Sequence, residues 1–287
     1  MNAPRYAFFG SSRFSVLVLD ELEKAGLAPA AVVTAPDKPA GRKLALTPTP
    51  VKAWAAQRGI PVLEPARLDA AFAERLKSGA YEAFAVASYG KIIPGAIIDL
   101  PPHRTLNVHP SLLPAYRGAS PLQSAMLDDA KETGVTIMRI DEKMDEGPIV
   151  AQKAVAVGEW PTYEEFEERM AREGGRLLAE TLPRWVAGAL EEKEQDRSKA
   201  TYTRKISKED GLIDLAADPY LDFRKIQAYH EWPTAYFFID KGGKKLRVKI
   251  ASASFKDGKL AIERVVPEGG REMPFRDFCA GYGYKPA

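Results

Sequence analysis

The sequence predicts an α/β chain built on a doubly wound, mostly parallel sheet and followed by a small β-barrel or sandwich. Three observations carry this. Short apolar runs at residues 6–9, 30–34, 84–87 and 105–108 read as buried strands. Amphipathic patterns with helical spacing separate the early ones, which is the alternation of a parallel α/β sheet. Beyond a charged stretch at 191–199, short strands are punctuated by Gly242-Gly243, Asp257-Gly258 and Gly269-Gly270.

Taken in order, Tyr6–Phe9 is a strand ending at Gly10, and Ser11 and Ser12 open a helix. Val16, Leu19 and Leu22 follow at helical spacing, with Leu17 and Val18 beside them. Residues 30–34 are β-branched and form the next strand. A helix is expected over 49–58, with Pro50 tolerated in its first turn. A short strand at 61–63 and a helix at 68–77 come next, then the strands at 84–87 and 105–108. Right-handed crossovers would bring the functional loops to the carboxyl ends of these strands. Two further strands are predicted at 134–139 and 149–157. A long helix over 162–189 is capped by Thr162 and buries Phe166, Met170, Leu177, Leu178 and Leu182. Pro183 is expected to kink or divide it. The resulting organisation is a first domain over 1–190, a linker over 191–204 and a second domain over 205–287.

Composition excludes several classes. With Cys279 as the single cysteine, no intrachain disulfide and no cysteine-based zinc cluster can form, and Cys279 itself reads as a small apolar residue. The N-terminal apolar stretch is too short for a signal sequence, and no run approaches the ~20 residues of a membrane span. A cytoplasmic chain with no membrane partner is the expectation, acting as a monomer. The net charge of +2 gives no global basic field. Lys241, Lys244, Lys245, Arg247, Lys249, Lys256 and Lys259 nevertheless face only Asp257 within 241–259. This run reads either as a solvated edge that resists aggregation or as a phosphate contact. His103, His109 and His230 have no metal-ligand spacing, so no metal is expected.

Chemistry concentrates between Asn107 and Gly147. Asn107 and His109 stand two apart at a strand end, so both side chains leave the same face. Ser111, Leu112, Leu113 and Pro114 lead into a turn at Tyr116-Arg117-Gly118. Asp141, Glu142, Asp145 and Glu146 lie on a loop between two strands. An amide, an imidazole and a carboxylate suit transfer of an acyl carbon to an amine through a tetrahedral oxyanion. A donor such as Asn107 hydrogen-bonds that oxyanion, an effect worth roughly 3–4 kcal/mol per donor elsewhere. His109 would stabilise the oxyanion or carry protons, and Asp145 would favour the protonated ring and orient a relaying water. No covalent intermediate is required.

Asn107-Val108-His109-Pro110-Ser111-Leu112-Leu113-Pro114, Arg117-Gly118-Ala119-Ser120-Pro121 and Thr133-Gly134-Val135-Thr136-Ile137-Met138 together resemble the motifs of the folate-dependent formyltransferase superfamily, in the same order. The resemblance implies a Rossmann-like catalytic domain with Asn107, His109 and Asp145 as its catalytic trio. It implies that Ser111, Leu112, Leu113 and Pro114 are part of a 10-formyltetrahydrofolate pocket. Residues 86–93, with Ser88, Tyr89 and Gly90 at their centre, are similar to the pterin-side wall. Gly10-Ser11-Ser12-Arg13-Phe14 departs from a Thr-Pro pair common there.

Within the superfamily, the segment from Pro36 to Lys52 resembles the long loop that the methionyl-tRNA-specific branch pushes into the acceptor end of its tRNA. Ala200-Thr201-Tyr202-Thr203-Arg204-Lys205-Ile206 and Trp232-Pro233-Thr234-Ala235 resemble that branch's second, OB-like β-barrel domain. The implied partner is methionyl-initiator tRNA, met by Lys38, Arg42, Lys43, Lys52, Lys244, Lys245 and Arg247. The Arg42-Lys43-Leu44-Ala45-Leu46 stretch is less basic than is usual in that loop. Two alternatives remain: the same chemistry on an amino-sugar nucleotide, and a non-catalytic protein that holds folate or RNA.

Overall fold

The computed structural model describes residues 3–40, 45–157 and 159–285. The chain begins with Tyr6–Phe9 (β1), Arg13–Lys24 (α1), Ala31–Val33 (β2), Lys38–Ala40 (β3), Ala45–Thr47 (β4) and Pro50–Ala56 (α2). Val62–Leu63 (β5), Ala70–Lys77 (α3), Ala83–Val86 (β6), Gly95–Ile98 (α4), Thr105–His109 (β7) and Arg117–Gly118 (β8) follow. Next come Pro121–Leu127 (α5), Glu132–Arg139 (β9), Ile149–Ala156 (β10), Tyr163–Val186 (α6) and Tyr202–Thr203 (β11). The last elements are Pro219–Ala228 (α7), Tyr236–Lys241 (β12), Lys244–Lys256 (β13), Lys259–Pro267 (β14), Met273–Pro274 (β15) and Phe275–Tyr282 (α8).

Two compact units form. The first takes the residues up to Gly118 together with Glu132–Ala156 and Glu167–Tyr202. Its seven-stranded sheet runs β10-β9-β7-β6-β1-β2-β5. The five strands from β7 to β5 are mutually parallel, whereas β9 is antiparallel to β7 and β10 antiparallel to β9. The mostly parallel doubly wound sheet expected from sequence is therefore present. Continuous apolar runs explain it: every residue of β1 and β6 is buried, as central strands covered on both faces require. Local capping fixes the helices between them. Ser12 and Ser15 form a reciprocal capping box at α1, Thr49 caps α2 ahead of Pro50, and Asp69 caps α3.

The chain leaves β1 toward β2 and β5, then returns on the other side at β6, which makes the β1–β6 boundary the topological switch point. Just beyond the carboxyl ends of these strands, Ser11 N–H donates to the Ser88 carbonyl at 3.2 Å and the Ser15 hydroxyl to the Ala87 carbonyl at 2.6 Å. The sequence motifs singled out at 86–93 and 107–114 thus follow adjacent strands, β6 and β7, at this same edge.

Three features depart from or add to the sequence reading. The long loop near residue 40 contains an antiparallel pair, β3 with β4, and Arg42 and Lys43 lie outside the described residues. Helix α6 runs undivided through Pro183. That proline lies in the final turns, where its missing N–H removes one helical bond, and its carbonyl still accepts from Ala187 N–H at 3.0 Å. The charged stretch read as a linker is bound to the first unit: Lys193 and Ile149 exchange both backbone hydrogen bonds at 2.8 Å, and Arg139 pairs with Glu192 at 2.7 Å.

The second unit combines Ala119–Lys131 and Val157–Phe166 with the residues from Thr203 on. Its four strands, β12-β13-β14-β15, form an antiparallel sheet, a small β domain as expected. The turns at Gly242-Gly243 and Asp257-Gly258 have positive φ at both positions, the conformation of tight hairpins whose twist matches their strands. Phe237, Ile239, Val248, Ile250, Val265 and Phe278 make its core. Asp129 ties the early segments to it, accepting from Trp160 Nε1 at 2.7 Å and Tyr220 OH at 2.8 Å. Among the described residues, no helix is long and apolar enough to cross a membrane, and no group of His, Cys, Asp and Glu is arranged to hold a metal.

Candidate active site

Strand β7 positions Asn107 and His109 on one face, paired in register with Met138 and Thr136 of β9. Asn107 is half-buried, and His109 is buried with 4% exposure. The imidazole Nε2 lies 3.0 Å from the Tyr116 carbonyl. A carbonyl only accepts, so this contact assigns a hydrogen to Nε2. The other edge of the ring faces a carboxylate, with Nδ1 3.7 Å from Asp145 Oδ1. That separation exceeds a direct hydrogen bond.

Asp145 follows β9 on a loop and has φ +56°, an uncommon conformation for a residue with a side chain. Its Oδ2 accepts from Gly118 N–H at 2.8 Å, so the Arg117-Gly118 turn holds the carboxylate directly. From the stretch after α6, the Gln195 carboxamide donates to the carbonyls of Asp145 at 2.8 Å and Gly147 at 2.7 Å. Arg117 is buried, donating to Gln195 Oε1 from Nε and Nη2 and to Tyr202 OH from Nη1. Sequence reasoning missed Gln195, which reads as one more polar residue within a charged run. It named Arg117 only as part of a motif.

The loop after His109 is pinned from β9 and β10. Thr136 Oγ1 donates to the Ser111 carbonyl at 2.7 Å and accepts from Leu113 N–H at 3.1 Å. Gln152 Nε2 donates to the Leu113 carbonyl at 2.8 Å. Ser111 and Leu113 are buried within this arrangement, while Leu112 and Pro114 keep part of their surface exposed. After β6, Ser88 and Gly90 are exposed with positive φ. Tyr89 instead turns into the core, its ring edge-on to Phe9 at 5.5 Å, and burial pushes its hydroxyl up to about 12.

The expected cations separate by environment. Lys38, Lys244 and Lys245 are exposed. Lys52 is committed to two carboxylates, at 2.8 Å from Asp37 and 2.9 Å from Glu64, whose hydrogen bonds raise its pKa. Arg247 lies over the Tyr236 ring at 5.6 Å. His230 is paired with Glu164 at 2.9 Å, and the His103 carbonyl accepts from Trp185 Nε1 at 2.6 Å.

The sheet thus brings an amide and an imidazole to its carboxyl edge beside a loop carboxylate, and comparisons with known proteins give the class to which the chain belongs. Residues 4–182 match the formyl transferase family, and the chain belongs to it. A methionyl-tRNA formyltransferase of Chloroflexus aggregans is 41% identical over 271 residues, spanning 94% of this chain and 87% of the relative. A methionyl-tRNA formyltransferase of Thermus thermophilus is 40% identical over 313 residues, spanning 98% and 97%. Among solved structures, methionyl-tRNA formyltransferase from Clostridium thermocellum superposes with a TM-score of 0.62 at 16% identity, covering 94% of this chain and 99% of that one, a likeness of fold.

Proposed function

We propose that the chain transfers a formyl group from 10-formyltetrahydrofolate to the amino group of methionyl-initiator tRNA, a reaction serving translation initiation in the cytoplasm. The observation that carries the reading is the approach of His109 to Asp145 on the face of β7 that also bears Asn107. At 3.7 Å each group keeps hydrogen-bonding capacity for the reacting atoms.

The amine attacks the formyl carbon, and the negative charge that develops on the formyl oxygen is met by the Asn107 amide and, when the ring is protonated, by His109 Nδ1–H. The nitrogen then sheds a proton toward Asp145, directly or through water. The carbon–nitrogen bond to the folate breaks last, and tetrahydrofolate leaves with the proton. The folate substrate suits the sheet edge, where Ser88 and Gly90 are exposed and Leu112 and Pro114 keep part of their apolar surface exposed. Ser111 and Leu113 act from beneath, and Tyr89 packs behind the wall.

The tRNA assignment is supported by the names of the relatives and by how much of both chains they span. Lys38 on the first unit, and Lys244, Lys245 and Arg247 on the second, would meet phosphates. Arg42 and Lys43 belong to the same proposed contact. Lys52 braces Asp37 and Glu64 at the base of that loop. The test is a formylation assay offering 10-formyltetrahydrofolate with charged initiator tRNA, charged elongator tRNA or free amino-sugar nucleotides. Formyl-methionyl product on initiator tRNA supports the reading. Product on the sugar alone overturns the substrate, and absence of product from all three overturns formyl transfer.

A further inference from the structure

The carboxamide of Gln195 uses its whole hydrogen-bonding capacity inside the first unit. Its N–H groups donate to the main-chain carbonyls of Asp145 at 2.8 Å and Gly147 at 2.7 Å. Its Oε1 accepts from Arg117 Nε at 3.1 Å and Nη2 at 2.8 Å. A primary amide offers two donor hydrogens and an oxygen with two lone pairs, so each is used once. Gln195 is 7% exposed and Arg117 1%, which keeps water from competing for these bonds.

What this clamp holds is the backbone on both sides of Glu146. Asp145 has φ +56°, a conformation that a residue with a side chain keeps only when its surroundings impose it. The same residue is gripped at its other end, where Oδ2 accepts from Gly118 N–H at 2.8 Å. Gly118 adjoins Arg117, the residue on which Gln195 is anchored. Main chain and carboxylate of Asp145 are therefore referred to one turn, and that turn also supplies the Tyr116 carbonyl facing His109 Nε2.

We propose that Gln195 is a positioning residue for the reaction: anchored on the buried Arg117 guanidinium, it holds the 145–147 backbone so that the Asp145 carboxylate faces His109. The inference rests on the formyl-transfer reading above. A glutamate in its place would still pair with Arg117 but would offer no donor, turning a carboxylate oxygen toward two carbonyls. A shift of about 1 Å in a reacting group is enough to cost on the order of a hundredfold in rate.

Gln195→Glu separates positioning from folding, because it preserves side-chain size and the Arg117 contact. In the formylation assay kcat is expected to fall between roughly tenfold and a hundredfold. KM for 10-formyltetrahydrofolate should stay unchanged, since the clamp holds no pocket residue. In an Asp145→Asn background, adding Gln195→Glu should slow the enzyme no further, as expected when two residues act through one group. Gln195→Met, neutral and of similar length, should reproduce these kinetics if the glutamate variant does not fold. A readout without substrate is hydrogen exchange at the Gly118 amide, whose acceptor is the Asp145 carboxylate. Exchange there should quicken in both variants, even if wild-type protein formylates nothing in the assay. Wild-type kcat in Gln195→Glu overturns the proposal. So do losses that multiply with Asp145→Asn, and so does a Gly118 amide that exchanges at the wild-type rate.

Discussion

His109 and Asp145 approach one another from a sheet strand and a separate loop, with Nδ1 to Oδ1 at 3.7 Å, while the ring's Nε2 is tied to the Tyr116 carbonyl at 3.0 Å. One nitrogen thus orients the ring and the other meets the carboxylate. His109→Ala is expected to lower kcat at least about a hundredfold, the low end of general acid–base contributions. Asp145→Asn should lower it by a similar factor, since the amide keeps the Gly118 contact but not the charge. Circular dichroism should remain that of the wild type. His109→Ala protein that turned over at the wild-type rate would remove the imidazole from the chemistry.

Gly147 is required by space. A Cβ there would lie 1.9 Å from the Arg139 carbonyl oxygen, a backbone atom of the adjoining strand β9 that has no rotamer to yield. Gly147→Ala must therefore displace the loop bearing Asp145. It should destabilise the protein by roughly 2–3 kcal/mol, the usual scale of overpacking, and depress turnover as well. Gly281 in α8 has nothing within 4 Å of such an atom and serves as the control. Gly281→Ala should leave urea unfolding unchanged or raise it slightly, by up to about 1 kcal/mol. Equal midpoints for the two variants would refute the steric account.

How far the sequence revealed these features follows from the range of the interactions. β1 and β6 were legible because burial on both faces leaves an unbroken apolar run. α1 was legible from Ser12 at its start and from the apolar spacing that follows, and α2 from Pro50, which fits a first turn. Asn107 and His109 were recognisable by their spacing on one strand, and Asp145 by the motifs around it. Gln195 was not, because its partners Arg117, Asp145 and Gly147 are all distant in sequence, and nothing local marks it as buried. The inclusion of Ala119–Lys131 and Val157–Phe166 in the second unit was hidden for the same reason. It shows in contacts between segments far apart in sequence, such as Asp129 with Trp160 and Tyr220 and His230 with Glu164. Lys52 has surroundings that the sequence does not display. In sequence it is a loop cation, whereas in space Asp37 and Glu64 already engage it.

That difference among the lysines is measurable. Affinity for charged tRNA should fall with salt in proportion to the phosphates neutralised, with a slope near 0.7–0.9 per cation. Replacing Lys244 and Lys245 together with alanine should flatten the logarithmic slope by about 1.5. Lys52→Ala should leave the slope unaltered, because its ammonium is held between two carboxylates. A flatter slope in Lys52→Ala would return that residue to the interface. An unaltered slope in the double variant would remove the β13 lysines from it.

Asp222 on α7 gives a pH dependence whose sign follows from its surroundings. It is 3% exposed, and burial first, with Asp214 and Asp218 adding to it against the pull of Lys225, pushes its carboxyl up to about 6. The unfolded chain releases this proton near pH 4, so the folded state is the better proton binder. Stability from the bound proton is complete below about pH 4 and is lost as the pH rises through about 6. Above that, the buried charge is a fixed penalty of at most about 3 kcal/mol. Asp222→Asn removes the charge but keeps the shape. It should stabilise the protein by about 1–3 kcal/mol at pH 7.5 and change little at pH 4, as read by urea unfolding at the two pH values. An equal gain at both would mean that the exchange of a carboxyl for an amide as hydrogen-bonding group, and not the loss of ionisation, sets the stability.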